Sequence, residues 1–212
     1  MAKFRFLGRS CLEFISENDH FIIDPMFFEP PEQGITDIFL THEHEDHANP
    51  DKINQILQNY GPNGGNITIH GPKTTLDELD DIQADFDEIV PGEMVRMDDF
   101  EIRVFSVDCY KAKECLAYLI FYNGVRCLHT ADSANFSKTL YFLTVEIDHC
   151  FVACFEDYFN DYVSFAKAVN VKKVHPYHFN PEETQKGRDL VSTMEINDIR
   201  AEFLDIGAEV EL

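Results

Sequence analysis

Between Thr41 and Pro50 the chain reads Thr-His-Glu-His-Glu-Asp-His-Ala-Asn-Pro, so three of its nine histidines fall within the six residues 42–47. Neutral imidazole nitrogen suits Zn(II) and other borderline ions, and a carboxylate adds charge and tolerates harder ions such as Fe or Mn. In extended backbone, residues two apart point the same way, so His42 and His44 can converge on one ion. Asp46 and His47 lie one turn further on. Two ligand pairs on opposite sides of a loop imply two ions. A charged, solvated loop is the plainer reading in so acidic a chain, but it leaves the clustering of imidazoles without a cause. Metal binding is therefore the expectation, to be checked against a strand-loop-helix context.

The flanking sequence supplies that context. Ile35-Thr-Asp-Ile-Phe-Leu40 reads as a buried strand, and Asn49-Pro50-Asp51 opens a helical pattern through Ile53, Ile56 and Leu57. The motif then occupies a tight loop between them. Elsewhere, alternation and apolar runs predict strands near 3–7, 10–16, 19–24, 36–41 and 67–70. A second β-rich half has strands near 94–97, 100–107, 115–122, 125–130, 148–154 and 171–175. Helices are expected near 51–59, 73–80, 134–145, 158–169 and 189–204. The loop cluster Asn59-Tyr-Gly-Pro-Asn-Gly-Gly-Asn66 separates the helix after the motif from the next strand. The acidic run from Asp77 to Glu88 reads as a solvated helix face and loop, without function.

The pattern His42-x-His44-x-Asp46-His47 resembles the signature of the metallo-β-lactamase superfamily, and three further stretches follow that family's order. Phe21-Ile-Ile-Asp24-Pro25 resembles its strand ending in Asp-Pro. Val125-Arg-Cys-Leu-His-Thr-Ala-Asp132-Ser resembles the strand ending in Gly-Asp-Thr, whose Asp bridges two metals. Val174-His-Pro-Tyr-His178-Phe resembles the strand end that supplies the last histidine. The resemblance implies an α+β fold, a four-layer αββα sandwich over residues 1–212 as a single domain, with every ligand at a strand end along one edge. One position departs from the pattern. Where the family places a further histidine, after Phe100–Val107, this chain has Asp108-Cys109-Tyr110. Ser106-Val107-Asp108 is similar to the Ser-x-Asp of some small hydrolase-like members, which makes Asp108 the expected replacement and Cys109 the second choice. The other reading of Asp108 is a turn residue beside a single well-bound metal.

The ligand set that the resemblance implies is His42, His44 and Asp108 for one ion, Asp46, His47 and His178 for the other, with Asp132 between them. The cofactors are then two divalent metal ions, Zn(II) first, with Mn or Fe as alternatives. Such a pair activates water and polarises a carbonyl or phosphoryl oxygen. Asp46 is also placed to move a proton between that water and the leaving group. The leading expectation is a metal-dependent hydrolase of a small ester, lactone or related substrate, resembling the lactonase-like branch. The alternatives are a phosphodiesterase on a small or nucleotide substrate and a non-hydrolytic metal-binding or redox protein of the same fold. Phe27, Phe28, Tyr110 and Tyr177 are candidate walls of the substrate site.

Composition narrows the partners. The formal net charge of −22 repels phosphate backbones and anionic membranes, so a small molecule is expected and nucleic acid is not. The six cysteines show no zinc-ribbon spacing. Cys150 and Cys154 lie on an apolar run where buried thiols are the default. The start of the chain is too charged for a signal peptide and no apolar run reaches spanning length, so a cytoplasmic protein with reduced thiols is the expectation. His20, His70 and His149 have ordinary explanations at strand ends. His129, three residues before Asp132, is a candidate supporting residue, and the motif match favours His178 over His175.

Overall fold

The computed structural model describes residues 2–212. The first half of the chain lays down β1 (Lys3–Gly8), β2 (Cys11–Ile15), β3 (His20–Ile23), β4 (Asp37–Phe39), helix α1 (Pro50–Asn59), β5 (Thr68–Gly71), the single-turn α2 (Lys73–Leu76) and β6 (Asp85–Glu88). The second half adds β7 (Met94–Arg96), β8 (Glu101–Ser106), β9 (Leu116–Tyr122), β10 (Val125–His129), α3 (Lys138–Tyr141), β11 (His149–Ala153), α4 (Phe159–Ala168), β12 (Val174–Tyr177), α5 (Thr184–Ile196) and β13 (Glu209–Glu211). They form two mixed sheets, ordered β13-β1-β2-β3-β4-β5-β6 and β12-β11-β10-β9-β8-β7. In each sheet the early strands pair antiparallel, and the last three or four pair parallel.

Period-two patterning explains how the sheets pack. Phe21, Ile23 and Phe39 point into the core shared with the second sheet, whereas Ile22 and Ile38 point outward against Ile53 and Ile56 of α1. Aromatic rings hold the two sheets together: Phe21 stacks on Phe14 and meets Phe100 edge-on with centroids 5.2 Å apart. Helices α4 and α5 bury Tyr162, Phe165, Leu190 and Met194 against the second sheet. The result is the helix-sheet-sheet-helix layering expected from the sequence.

The start of α1 is written locally. Asn49 caps it by accepting the Lys52 N–H at 3.0 Å, Pro50 opens the first turn and Asp51 favours its positive end. This helix start fixes the far end of the histidine-rich loop.

Several boundaries differ from expectation. The last helix runs Thr184–Ile196 rather than 189–204, because beyond Asp198 the backbone turns to pair with β12 through Val174 N–H to Arg200 O and Glu202 N–H to Val174 O, both 2.9 Å. The expected helices at 73–80 and 134–145 shrink to the single turns α2 and α3. The last strand of the second sheet lies at Val174–Tyr177, later than 171–175, and tolerates Pro176 because it is an edge strand. Part of the acidic run forms β6, an edge strand with all four residues exposed, where charge guards the open ladder against further pairing.

Candidate metal centre

The ligating side chains come from loops that follow strand ends, and each loop is fixed by specific bonds. Asp24, immediately after β3, is fully buried. Its Oδ1 accepts the Thr41 backbone N–H at 2.8 Å, and its Oδ2 accepts the Thr41 hydroxyl at 2.7 Å and lies 2.7 Å from His47 Nδ1. A carboxylate only accepts, so His47 carries a proton on Nδ1, and its Nε2, turned away from Asp24, is the nitrogen left to take a metal. The same reasoning settles His42. The Thr41 hydroxyl gives its one proton to Asp24, so at 2.9 Å from His42 Nδ1 it must accept, leaving His42 Nε2 as a lone pair aimed at His44 Nδ1, 3.1 Å away. Burial and the neighbouring His47 lower the His42 pKa to about 3, which keeps that ring neutral at physiological pH.

On the other side of the loop, four side chains meet. Asp132 Oδ2 lies 3.1 Å from the Nε2 atoms of both His47 and His178. Those two nitrogens are 3.3 Å apart, and His178 Nε2 is 3.2 Å from Asp46 Oδ2. Tetrahedral zinc with bonds of 2.0–2.1 Å separates its ligand atoms by about 3.3 Å, so these spacings match the edges of a coordination polyhedron. Two imidazole nitrogens and two carboxylates converging at these distances form a donor set that a cation can hold. The second oxygen of Asp132, Oδ1, is buried without a hydrogen-bond partner, as a carboxylate reaching between two ions would be. The donor set therefore fits a divalent metal.

The electrostatics agree. Burial works to raise the Asp132 and Asp46 pKa values, but His47 and His178 hold Asp132, and His178, His47 and Arg9 hold Asp46, well below the carboxylate range. Conversely, burial would lower His47 and His178, yet the carboxylates raise both. Fields that stabilise protons on these rings stabilise a cation between them. Asp46 Oδ2 also accepts from Arg9 Nη2 at 2.7 Å and Nε at 3.1 Å. These two guanidinium hydrogen bonds anchor the Asp46 carboxylate in place.

The structure thus brings Asp46, His47, Asp132 and His178 into one cluster and turns His42 and His44 towards each other beside it. It does not bring Asp108 into either group. Asp108 is exposed, pairs with Asn135 in an isolated bridge and meets the Asn135 side chain at 3.4 Å. What approaches His42 is the Cys109–Cys115 disulfide: both sulfurs and a ring nitrogen of His42 lie within 4.8 Å of one another. The expectation of six reduced thiols is corrected at this pair, and Cys11, Cys127, Cys150 and Cys154 are free and buried. His175 sits in the core beside His149, its Nε2 3.0 Å from His149 Nδ1, well apart from the ligand role. His129 is buried, with its Nδ1 accepting the Ala131 N–H at 3.3 Å, so it shapes the turn that carries Asp132.

A cleft of about 860 Å³ opens over the cluster, lined by Asp132 and His178 at one side and by Tyr110, Phe155 and Tyr158 as aromatic walls. Of the four walls expected, only Tyr110 lines it; Phe27 and Tyr177 are buried in the cores, and Phe28 lies outside the lining. Sequence reasoning also missed Arg9 and gave Asp24 no role in the site. The only signal for Asp24 was its strand-end position before Pro25. Arg9 stood in an unremarkable turn.

The β-lactamase superfamily domain model matches residues 3–176. No curated protein matches the sequence. Among solved structures, the metallo-β-lactamase fold protein YhfI from Bacillus subtilis aligns with a TM-score of 0.80 at 15% identity over 100% of both chains. Igni18, described as a metallo hydrolase from the archaeon Ignicoccus hospitalis, aligns at 0.78 and 15% identity over 99% of this chain and 97% of its own. CmlA, a diiron β-hydroxylase from Streptomyces venezuelae, aligns at 0.75 and 16% identity over 100% of this chain and 54% of its own. At these identities the structures share a fold, and among the described residues no helix is long and apolar enough to cross a membrane. The sandwich, the strand-end position of its histidines and the match over residues 3–176 place this chain in the β-lactamase superfamily.

Proposed function

We propose that this chain is a metal-dependent hydrolase acting on a small neutral or cationic ester or lactone at a binuclear centre. The observation that carries the proposal is the meeting of Asp46, His47, Asp132 and His178 beside an open cleft, with His178 Nε2 and Asp132 Oδ2 3.1–3.3 Å from their neighbours and His47 Nε2 3.9 Å from Asp46 Oδ1. His42 and His44 would hold one ion, Asp46, His47 and His178 the other, and Asp132 would reach both. Bound divalent ions, Zn(II) first and Fe or Mn next, would supply Lewis acidity that lowers the pKa of water and polarises the scissile oxygen. The chain's own contribution is to fix both histidine tautomers through Asp24 and Thr41, and to clamp Asp46 with Arg9.

The cleft favours this substrate class over phosphodiesters. Asp108, Glu156, Asp157, Asp161 and Glu183 line it, against Arg9 and Lys186. Both cations are already paired, Arg9 with Asp46 and Glu183, and Lys186 with Glu183 at 2.5 Å. A polyanion would enter against that field, whereas a neutral ester would use the aromatic walls.

The test combines metal content with turnover. Protein purified without chelators is analysed for metal, then assayed with matched lactone, aryl ester and phosphodiester panels, alongside His178→Ala. Ester or lactone turnover that follows metal loading and collapses in the variant supports the proposal. Phosphodiester turnover alone would replace its substrate class, and full loading without turnover on any panel would leave a non-hydrolytic metalloprotein.

A further inference from the structure

Resting on the binuclear reading above, we infer that the third protein donor to the His42–His44 ion is the Cys109 thiolate, released by reduction of the Cys109–Cys115 disulfide. The pair then makes one metal position of this site conditional on thiol redox state.

Three observations converge. The first is the shortage of donors. His42 Nε2 and His44 Nδ1 face each other at 3.1 Å, but no third side chain among the described residues joins them as Asp132 and His178 join His47. Two imidazoles and one shared carboxylate are fewer than a closed site uses, and Asp108 is turned to Asn135 at the surface.

The second is position. Cys109 lines the same cleft as Asp132 and His178, while Cys115 does not and is buried. Cys115 Sγ sits behind the ring, 3.8 Å from His42 Nδ1, the nitrogen already engaged by Thr41. The disulfide therefore ties Cys109 to the rear of His42. Once free, the Cys109 sulfur is the one that lines the cleft with Asp132 and His178, and it already lies within 4.8 Å of a His42 ring nitrogen. The loop between the two cysteines, with a sequence separation of 6, joins β8 to β9 and holds exposed Tyr110, and Cys109 is only half-buried, so the loop has room to turn.

The third is chemistry. The four remaining cysteines are buried, and burial pushes the Cys127 and Cys150 thiols up beyond the usual range and Cys154 to about 12, which leaves them inert. Cys154 also lines the cleft but is a buried free thiol, so Cys109 is the half-exposed sulfur through which a reductant can reach the disulfide. The step balances as a two-electron exchange. A dithiol reductant gives two electrons and two protons, the Cys109–Cys115 S–S bond breaks to two thiols, and the reductant closes to its own disulfide. Cys109 then loses its proton to solvent as its sulfur takes the cation. A thiolate donor shifts this position towards softer ions such as Zn(II) and away from Mn(II).

The test uses the full chain and cobalt(II), which reports sulfur ligation by a near-ultraviolet charge-transfer band. Wild type is reduced with a dithiol or oxidised with diamide, excess reagent is removed, and Co(II) is titrated anaerobically into both, and into reduced Cys109→Ser, Cys115→Ser and Asp108→Ala. The expected result is about two ions per chain and the sulfur band in reduced wild type, Cys115→Ser and Asp108→Ala. Oxidised wild type and Cys109→Ser should bind about one ion and lack the band. Two ions without a sulfur band in reduced protein would overturn the inference and leave the binuclear reading standing. So would loss of one ion in Asp108→Ala but not in Cys109→Ser. No more than one ion in every arm would overturn both. Near-ultraviolet dichroism of each variant confirms the fold, so a misfolded Cys109→Ser cannot imitate the expected outcome.

Discussion

Replacing Asp24 by asparagine keeps the side-chain volume and changes only what its second oxygen can do. In the native chain that oxygen accepts from the Thr41 hydroxyl at 2.7 Å and from His47 Nδ1 at 2.7 Å. An amide nitrogen there donates, so it faces the Nδ1–H of His47 donor to donor. The cheapest escape is for His47 to move its proton to Nε2, which is the atom that meets Asp132 and His178. The Thr41 hydroxyl, now offered a donor, is also free to turn its proton onto His42 Nδ1 and disturb the second tautomer. Loss of such an orienting carboxylate costs about 10–100-fold in metal affinity, or about 1.4–2.8 kcal/mol. The assay is zinc competition against a chromophoric chelator, with nitrogen-resolved NMR of the histidine rings to read tautomers directly. Asp24→Asn should weaken the His47 ion by that factor and shift the His47 ring from the Nδ1–H to the Nε2–H form. Affinity within twofold of wild type, with an unchanged His47 tautomer, would refute the argument that Asp24 sets the chemistry of this loop.

Other perturbations test separate parts of the structure. Glu13 is fully buried between Arg5 Nη1 at 2.5 Å and His20 Nε2 at 2.8 Å, so Glu13→Ala strands a buried cation and should cost about 3–5 kcal/mol in urea unfolding; a loss under about 1 kcal/mol would show the network to be solvated. Burial and His149 lower the His175 pKa to about 3 from an unfolded 6.5, so its stability contribution is complete above pH 6.5 and is lost as the pH falls to 3, at about 1.4 kcal/mol per pH unit for one proton. His175→Leu should flatten that acid limb, and an unchanged slope in unfolding measured from pH 7 to 4 would remove His175 as its source. Zinc held at a hundredfold excess over its Kd should raise the unfolding free energy by about 2.7 kcal/mol per site, read as a rise in Tm that a chelator reverses. With a net charge of −22, raising ionic strength from about 0.01 M to 0.15 M shortens the screening length from about 30 to 8 Å, so kcat/KM should rise for an anionic ester and hold steady for a neutral one; a fall for the anionic ester would mean a local positive field at the cleft.

How much was legible follows from what each inference required. His42, His44, Asp46 and His47 lie within one loop, and local spacing between an apolar strand and a capped helix was enough to see them. Asp132 and His178 are distant in sequence and were found through family order, which also singled out His178 over His175; the structure puts His178 at the cluster and His175 in the core. Cys109 outranking Asp108 near His42 was not legible, because neighbours in an irregular loop have no fixed facing and no periodicity to read. Arg9 was invisible for a related reason: its bond to Asp46 spans 37 residues, and an arginine in a surface turn carries no pattern. Helix ends misread for lack of tertiary information, as at α5, where Arg200 and Glu202 leave the apolar period to pair with β12.

The backbone around the cluster shows how two separate sheets hold one rigid site. Four non-glycine residues there adopt left-handed conformations, Arg9, Asp24, Ala131 and His178, with φ between 45° and 68°. Each costs of order 1–3 kcal/mol and needs a neighbour to enforce it. For two of them the enforcement is mutual. Arg9 N–H donates to Phe179 O at 3.0 Å and His178 N–H to Arg9 O at 2.7 Å, a two-way bond that stitches the β1–β2 turn of the first sheet to the end of β12 in the second. Arg9 then reaches across with its guanidinium to Asp46, while the adjacent Ser10 hydroxyl donates to the Asp46 carbonyl. Asp46 and His178, contributed by opposite sheets, are thus referred to the same short turn. Their 3.2 Å separation is set by covalent geometry and four hydrogen bonds rather than by the packing of the sandwich. That is why an arginine with no ligand role of its own belongs to the centre.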